Sequence, residues 1–152
     1  MKVAVGCDDN AFELKEEVKN YLVEKGYEIV DYGIYEKNPI DYPKVAVKVS
    51  KGILNNEVDK GILFCGTGIG MALAANKVNG IRAAQAHDIY SAERAELSNH
   101  AQIITMGSKV IGIEVAKKIA NIFLESNFTM DGSGKNSARK IDEIMQIERE
   151  ND

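Results

Sequence analysis

The amino-acid sequence predicts an α/β protein: a three-layer α/β/α arrangement with a five-stranded parallel sheet at its centre and one extra helix at the C-terminus. Three observations carry this expectation. Short apolar runs alternate with longer amphipathic stretches along most of the chain. Runs such as Val3-Ala4-Val5 and Ile62-Leu63-Phe64 are continuously apolar, as strands covered on both faces are. Glycine, or a short polar residue able to cap a helix, stands at most of the changes of pattern.

Lys2 to Cys7 reads as the first strand, ending at Gly6-Cys7-Asp8-Asp9-Asn10. Asp9 or Asn10 caps the helix that follows, where Leu14, Val18, Tyr21 and Leu22 recur at helical spacing, and Gly26 stops it. Tyr27 to Tyr32 is a second strand. Residues 33–43, with both prolines, read as loop, and Val45, Val49 and Leu54 mark a helix ending near Asn55-Asn56. Ile62 to Phe64 is a third strand, entered and left through glycine, and helix formers run from Gly70 towards Lys77. Gly80 to Ala84 begins a fourth strand. Asp88 or Ser91 starts a helix to about Leu97, and Gln102 to Met106 is a fifth strand closed by Gly107-Ser108. Val110 to Leu124 is a long amphipathic helix. After the polar, glycine-rich residues 129–138, Ala138 to about Glu150 forms a terminal helix with Ile141, Ile144 and Ile147 on one side. Lying outside the alternation, it is expected to pack on a neighbouring subunit or across the domain. Residues 1–152 thus read as one domain of Rossmann-like layering.

Composition narrows the function. The 152 residues, 45% of them hydrophobic, supply the core of one ordinary domain. A net charge of -4 with no basic stripe argues against nucleic acid or an anionic membrane as a partner. No run approaches a membrane span, and the sequence opens on a strand rather than a signal peptide. Two cysteines make no disulfide framework and two distant histidines no metal cage, so neither metal nor cofactor is expected, and the expected compartment is the cytoplasm.

The stretch with most chemistry is Cys65-Gly66-Thr67-Gly68-Ile69-Gly70, between the third strand and its helix. Unpaired amides at a helix start form an anion site, and helix N-termini favour thiolate. Thiol, hydroxyl and amides together are suited to removing a proton and holding the charge left behind. A dinucleotide fingerprint fits poorly, since its third glycine would fall on Met71 or Leu73. A purely structural tight turn is the main rival, and Cys65 and Thr67 are what raise the functional reading. Crossover connections place all strand C-termini on one edge, which gathers Cys7 and Asp8, Cys65 and Thr67, His87 and Asp88, and Gly107.

Gly6-Cys7-Asp8, Asp41-Tyr42-Pro43, Cys65 to Gly70, Ala74-Ala75-Asn76-Lys77 and Gly80-Ile81-Arg82 resemble the ribose-5-phosphate isomerase B family, which also includes the galactose-6-phosphate isomerase subunits. The resemblance covers nearly the whole chain. It implies a metal-independent aldose–ketose isomerase of a small sugar phosphate, working through an enediolate, as a homo-oligomer (dimer or tetramer) with active sites shared between subunits. It makes Cys65 the base and aligns Thr67 and the backbone of Gly66, Gly68, Ile69 and Gly70 with the anion hole. Asp8 matches the group that contacts sugar oxygens, Asn99 a ligand to the enediolate, and Tyr42 a pocket wall. Some members place a glutamate base where Met71 stands here.

The departures are as informative. Ser98 stands where ribose-phosphate members carry a ring-opening histidine, with His100 two positions on. Asp9 replaces the histidine that follows the first aspartate, and the two C-terminal phosphate-clamping arginines have no strict counterpart. Lys109, Lys135 and Arg139 are the cations left to hold phosphate. A tetrose 4-phosphate has no free C4 hydroxyl and cannot close a furanose ring, so it needs no ring-opening acid. That logic, with His87 to Ala95 and Leu97-Ser98-Asn99, resembles the D-erythrulose-4-phosphate isomerase branch. The alternatives are a half-site subunit of a heteromeric complex resembling galactose-6-phosphate isomerase, or a phosphate-sugar binding protein. Structural readings stand beside these: Cys7 as a small core residue, Asp8 as a plain cap, Asp9 as a cap or solvated, His87 as a loop residue, His100 as structural, and a solvated acidic tail.

Overall fold

The computed structural model describes residues 1–35 and 41–151. The elements are β1 (Lys2–Cys7), a 3₁₀ turn (Asp9–Ala11), α1 (Phe12–Glu24), β2 (Glu28–Asp31), α2 (Tyr42–Leu54), β3 (Lys60–Cys65), α3 (Ile69–Ala75), β4 (Ala83–Gln85), α4 (Ile89–Leu97), β5 (Ile103–Gly107), α5 (Ile113–Glu125) and α6 (Ala138–Glu150). The five strands form one sheet in the order β2-β1-β3-β5-β4, every pair parallel. β3 is central and buried along its whole length. Val5 lies beside Ile62 and Ile62 beside Ile104, so the apolar runs stack across the sheet.

Alternation along the strands splits the core in two. Val3, Cys7, Ile62, Phe64, Ile104 and Met106 face a cluster completed by α1, α4 and α5, with Leu14, Val18, Ala92, Ile119 and Phe123. Ala4, Leu63, Cys65 and Ile103 face the other cluster, with Val45, Val49, Met71 and Ala75 from α2 and α3. Cys7 pairs with Phe64 across β1 and β3, so Cys65, one residue on, points to the opposite face from Cys7.

The boundaries differ from expectation in several places. The helix expected after residue 43 already begins at Tyr42, with Pro43 in its first turn, where a missing N–H breaks no helical bond. Residues 36–40 of that loop, with Pro39, lie outside the described residues. Neither Asp9 nor Asn10 caps α1, which starts after Ala11 without a side-chain cap; Asp8 caps the 3₁₀ turn before it, its carboxylate accepting the Asn10 N–H at 3.0 Å. α3 stops at Ala75 rather than Lys77, with Asn76 as its cap. β4 starts only at Ala83. α5 starts at Ile113 because Val110 and Ile111 donate back to Gly107 in a turn. α6 packs across its own chain: Gly80 N–H donates to Glu148 at 2.8 Å and Arg82 to the Met145 sulfur at 3.2 Å. Ile141 is buried there, while Ile144 and Ile147 stay exposed.

Candidate active site

The parallel sheet delivers three chain exits to one edge, and hydrogen bonds stitch them together. Beyond β1, the Asp8 N–H donates to Phe64 O at 3.2 Å; beyond β5, Ser108 N–H and Lys109 N–H donate to the carbonyls of Cys65 (2.9 Å) and Gly66 (3.0 Å). The Ser108 hydroxyl donates to Asn10 O at 2.8 Å, closing the ring.

At its centre the Cys65 Sγ accepts the Gly68 N–H at 3.1 Å. Gly68 has φ +79°, a left-handed conformation that favours glycine, and a Cβ there would lie 3.0 Å from the Met106 carbonyl carbon. Thr67 is exposed, and its Oγ1 accepts the Ile69 N–H at 3.3 Å. In this conformation two of the amides expected in the anion hole serve the turn's own sulfur and hydroxyl. Around them, Gln85 donates to Thr67 O and Thr105 to Gly68 O, both at 2.7 Å. The His87 Nε2 accepts the Gly107 N–H at 2.8 Å, which makes the ring a neutral imidazole with its proton on Nδ1. Met71 is fully buried in the same apolar cluster as Cys65, so this chain offers no carboxylate base there.

Tyr42 and Lys109 flank the turn. A Cβ on Gly70 would lie 2.5 Å from the Tyr42 ring, and one on Gly66 would lie 3.7 Å from the Lys109 stem and 3.9 Å from Asn10. Asp8 is nearly buried. Desolvation pushes its carboxyl up from the ordinary value, and the Asn10 hydrogen bonds oppose that. A cavity of about 890 Å³ opens beside this group, lined at its near end by Asp9, Asn10, Ser108 and Lys109 and further on by Phe12 and Ile113. Cys65 is outside that lining and only 4% exposed.

Asp8, Tyr42, Cys65, Thr67, the Gly66 to Gly70 backbone and Lys109 therefore share one edge. Asn99 and Arg139 do not join them within one chain. α4 runs back against the strands, so the residues after it reach the N-terminal edge of the sheet, where Arg82 Nε donates to His100 O at 2.9 Å. Asn99 there donates to Arg94 O at 3.2 Å. Arg139 begins α6, which docks on Gly80 and Arg82 at that same far edge, and pairs with Glu143. Sequence reasoning left out Asn10, Ser108 and Gln85. The first two sit at strand exits and were open to the edge argument. Gln85 carries no signal, being an ordinary strand residue until the fold sets it beside Thr67.

A thiol, a hydroxyl and amides held at the exits of a doubly covered parallel sheet stand where α/β proteins of this layering bind small molecules. Comparison with known proteins identifies the family. The profile of the family described as Ribose/Galactose Isomerase matches residues 3–144, and the chain belongs to that family of isomerases. It is 48% identical over 151 residues to a ribose-5-P isomerase B of Listeria innocua, covering 99% of each chain. It is 46% identical over 153 residues to a D-erythrulose-4-phosphate isomerase of Pectobacterium atrosepticum, covering 99% of this chain and 97% of the other. The solved structure of Clostridium thermocellum ribose-5-phosphate isomerase B superposes with a TM-score of 0.95 at 36% identity, over 100% of both chains.

Proposed function

We propose that the chain interconverts the aldose and ketose forms of a small sugar phosphate, with Cys65 as the base. The observation that carries this is the β3 exit, where the sulfur, held by the Gly68 amide, stands two residues from the exposed Thr67 hydroxyl. As thiolate, Cys65 takes the proton from C2 of the aldose and returns it to C1, while the hydroxyl proton moves from O2 to O1. The enediolate charge between these steps is met by Thr67 and the backbone of Gly66 to Gly70. Asp8 faces the sugar oxygens, Tyr42 walls the pocket and Lys109 attracts the phosphate. Asn99 and Arg139 reach this group from a second copy of the chain.

The four-carbon substrate is the one we favour, D-erythrulose 4-phosphate with D-erythrose 4-phosphate. Identities of 48% and 46% to a ribose-phosphate and an erythrulose-phosphate relative do not choose between them. What supports the tetrose is Ser98, which accepts a weak bond from Arg94 at 3.4 Å and has no group able to open a ring near neutral pH. Turnover of tetrose, pentose and hexose phosphates by the isolated protein tests this, and faster reaction with ribose 5-phosphate overturns the tetrose assignment. Cys65→Ala should lower proton exchange from substrate into deuterated water by about 10²–10⁴ in rate, with the fold retained by circular dichroism. Near-full activity would remove Cys65 from the mechanism. The separation of Asn99 and Arg139 from Cys65 equally suits a subunit completed by a different homologous chain; activity of this chain purified alone decides against that reading.

A further inference from the structure

Asn99 and Arg139 are held at the far edge of the sheet by one assembly built on a buried ion pair. Lys60, at the start of β3, is ion-paired with Glu96 at 3.2 Å and donates to the carbonyls of Phe123 (3.2 Å) and Ser126 (3.0 Å). Glu96, in the last turn of α4 and 3% exposed, accepts the Phe128 N–H at 3.1 Å through its other oxygen. The Phe128 ring stacks on His100 with centroids 4.6 Å apart and planes 5° from parallel. The backbone of Gly134 lies close against the same ring, leaving no room for a Cβ. His100 is locked as well: it adopts φ +47°, its N–H donates to Glu96 O at 2.9 Å and its carbonyl accepts from Arg82.

Both arms run from this mount. One is the turn that carries Asn99, immediately before His100. The other leaves Gly134, whose carbonyl accepts the Ala138 N–H at 2.8 Å, and enters the first turn of α6 with Arg139. A charged pair is a poor choice if filling space were its whole task, since apolar residues of similar volume often serve stability as well or better. What the pair adds is a fixed geometry linking the end of α4 to the segment after α5.

We propose that Lys60, Glu96, Phe128 and His100 are positioning residues that hold Asn99 and Arg139 as one unit, set to engage the Cys65 site of a second copy. This rests on the shared-site isomerase reading above and deepens it. None of the four touches substrate; they act through Asn99 and Arg139. Displacement of the unit lowers kcat through Asn99 and raises KM through Arg139, a combined signature that simple loss of folded protein does not produce.

Two variants and a mixing experiment test this on the full-length protein. Glu96→Gln breaks the ion pair. His100→Asn removes the ring stack at an exposed turn with a residue that accepts positive φ, so it reports even where Glu96→Gln fails to fold. Each folded variant is expected to lose about tenfold or more in kcat/KM, as small misplacements of substrate contacts do. Co-expression of either variant with the Cys65→Ala chain should restore activity, because one subunit then brings the sulfur and the other an intact mount. Equal mixing in a two-fold pair leaves about a quarter of the sites working. Wild-type kinetics in His100→Asn, or a loss that mixing does not restore, overturns the proposal. Failure of the isomerase reading is distinct, because the wild-type chain would then show no proton exchange at all.

Discussion

A neutral imidazole pins the exit of β5. Burial holds His87 below its ordinary value of 6.5, and the neighbouring Asp88 carboxylate opposes that shift. Protonation removes the acceptor for the Gly107 N–H. In the unfolded chain the ring takes up a proton near 6.5, whereas in the fold it resists until lower pH. The stability it contributes is thus whole above about pH 6.5 and declines as pH falls through that value towards the depressed one. Melting temperature should fall between pH 7 and 5, and His87→Gln, which keeps an acceptor that does not titrate, should flatten part of that slope. His100, depressed by burial in the same direction, supplies another part. At this scale the sequence was selectively legible. Cys65 stood out from Cys7 only through its glycine and threonine neighbours. The structure adds that burial pushes the Cys7 thiol up to about 11, while the Cys65 sulfur accepts an amide hydrogen bond.

Among the elements, the connections at the strand exits are the least tolerant. A Cβ on Gly107 would lie 2.5 Å from the Cα and carbonyl carbon of Thr67, and backbone cannot swing aside as a side chain can. Gly107→Ala is therefore expected to lose about 1–3 kcal/mol in denaturant unfolding, as overpacking does, with a drop in activity as Thr67 moves. α1 is tied to the end of β2 by Lys15, which is fully buried and bonded to Asp31 (2.7 Å) and Ile34 O (2.6 Å). Lys15→Met should destabilise by about 3 kcal/mol, near the low end for breaking a buried pair, because Lys19 still reaches Asp31 at 3.2 Å. The five strands were legible from apolar runs that the sheet covers on both faces. The start of α2 was not, since Pro43 signals a loop and a first helical turn equally well. A charged residue inside the core, such as Lys15, was hidden because, Glu16 apart, its partners come from β2 and the loop beyond it.

Over the whole molecule, the strand order reverses at β1, which lies between β2 and β3, and parallel sheets characteristically leave a crevice at such a point. Asp8 and Cys65 stand at the two strand exits there, so their meeting at one edge followed from alternation alone. The placement of Asn99 and Arg139 did not. Asn99 matched the family pattern and Arg139 was one of the cations left in place of the family's arginines, but the direction of α4 and the docking of α6 set both at the other edge. Under the shared-site proposal, a sequence pattern names candidate residues without naming the copy of the chain that would supply them.

That polarity reaches beyond geometry into the order of the reaction in protein. If a working centre draws on the front of one molecule and the back of another, catalysis is second order in chain at low concentration. Specific activity should then fall progressively on serial dilution and recover on reconcentration, in step with the association state followed by light scattering. An enzyme complete within each chain would hold constant specific activity through the same series.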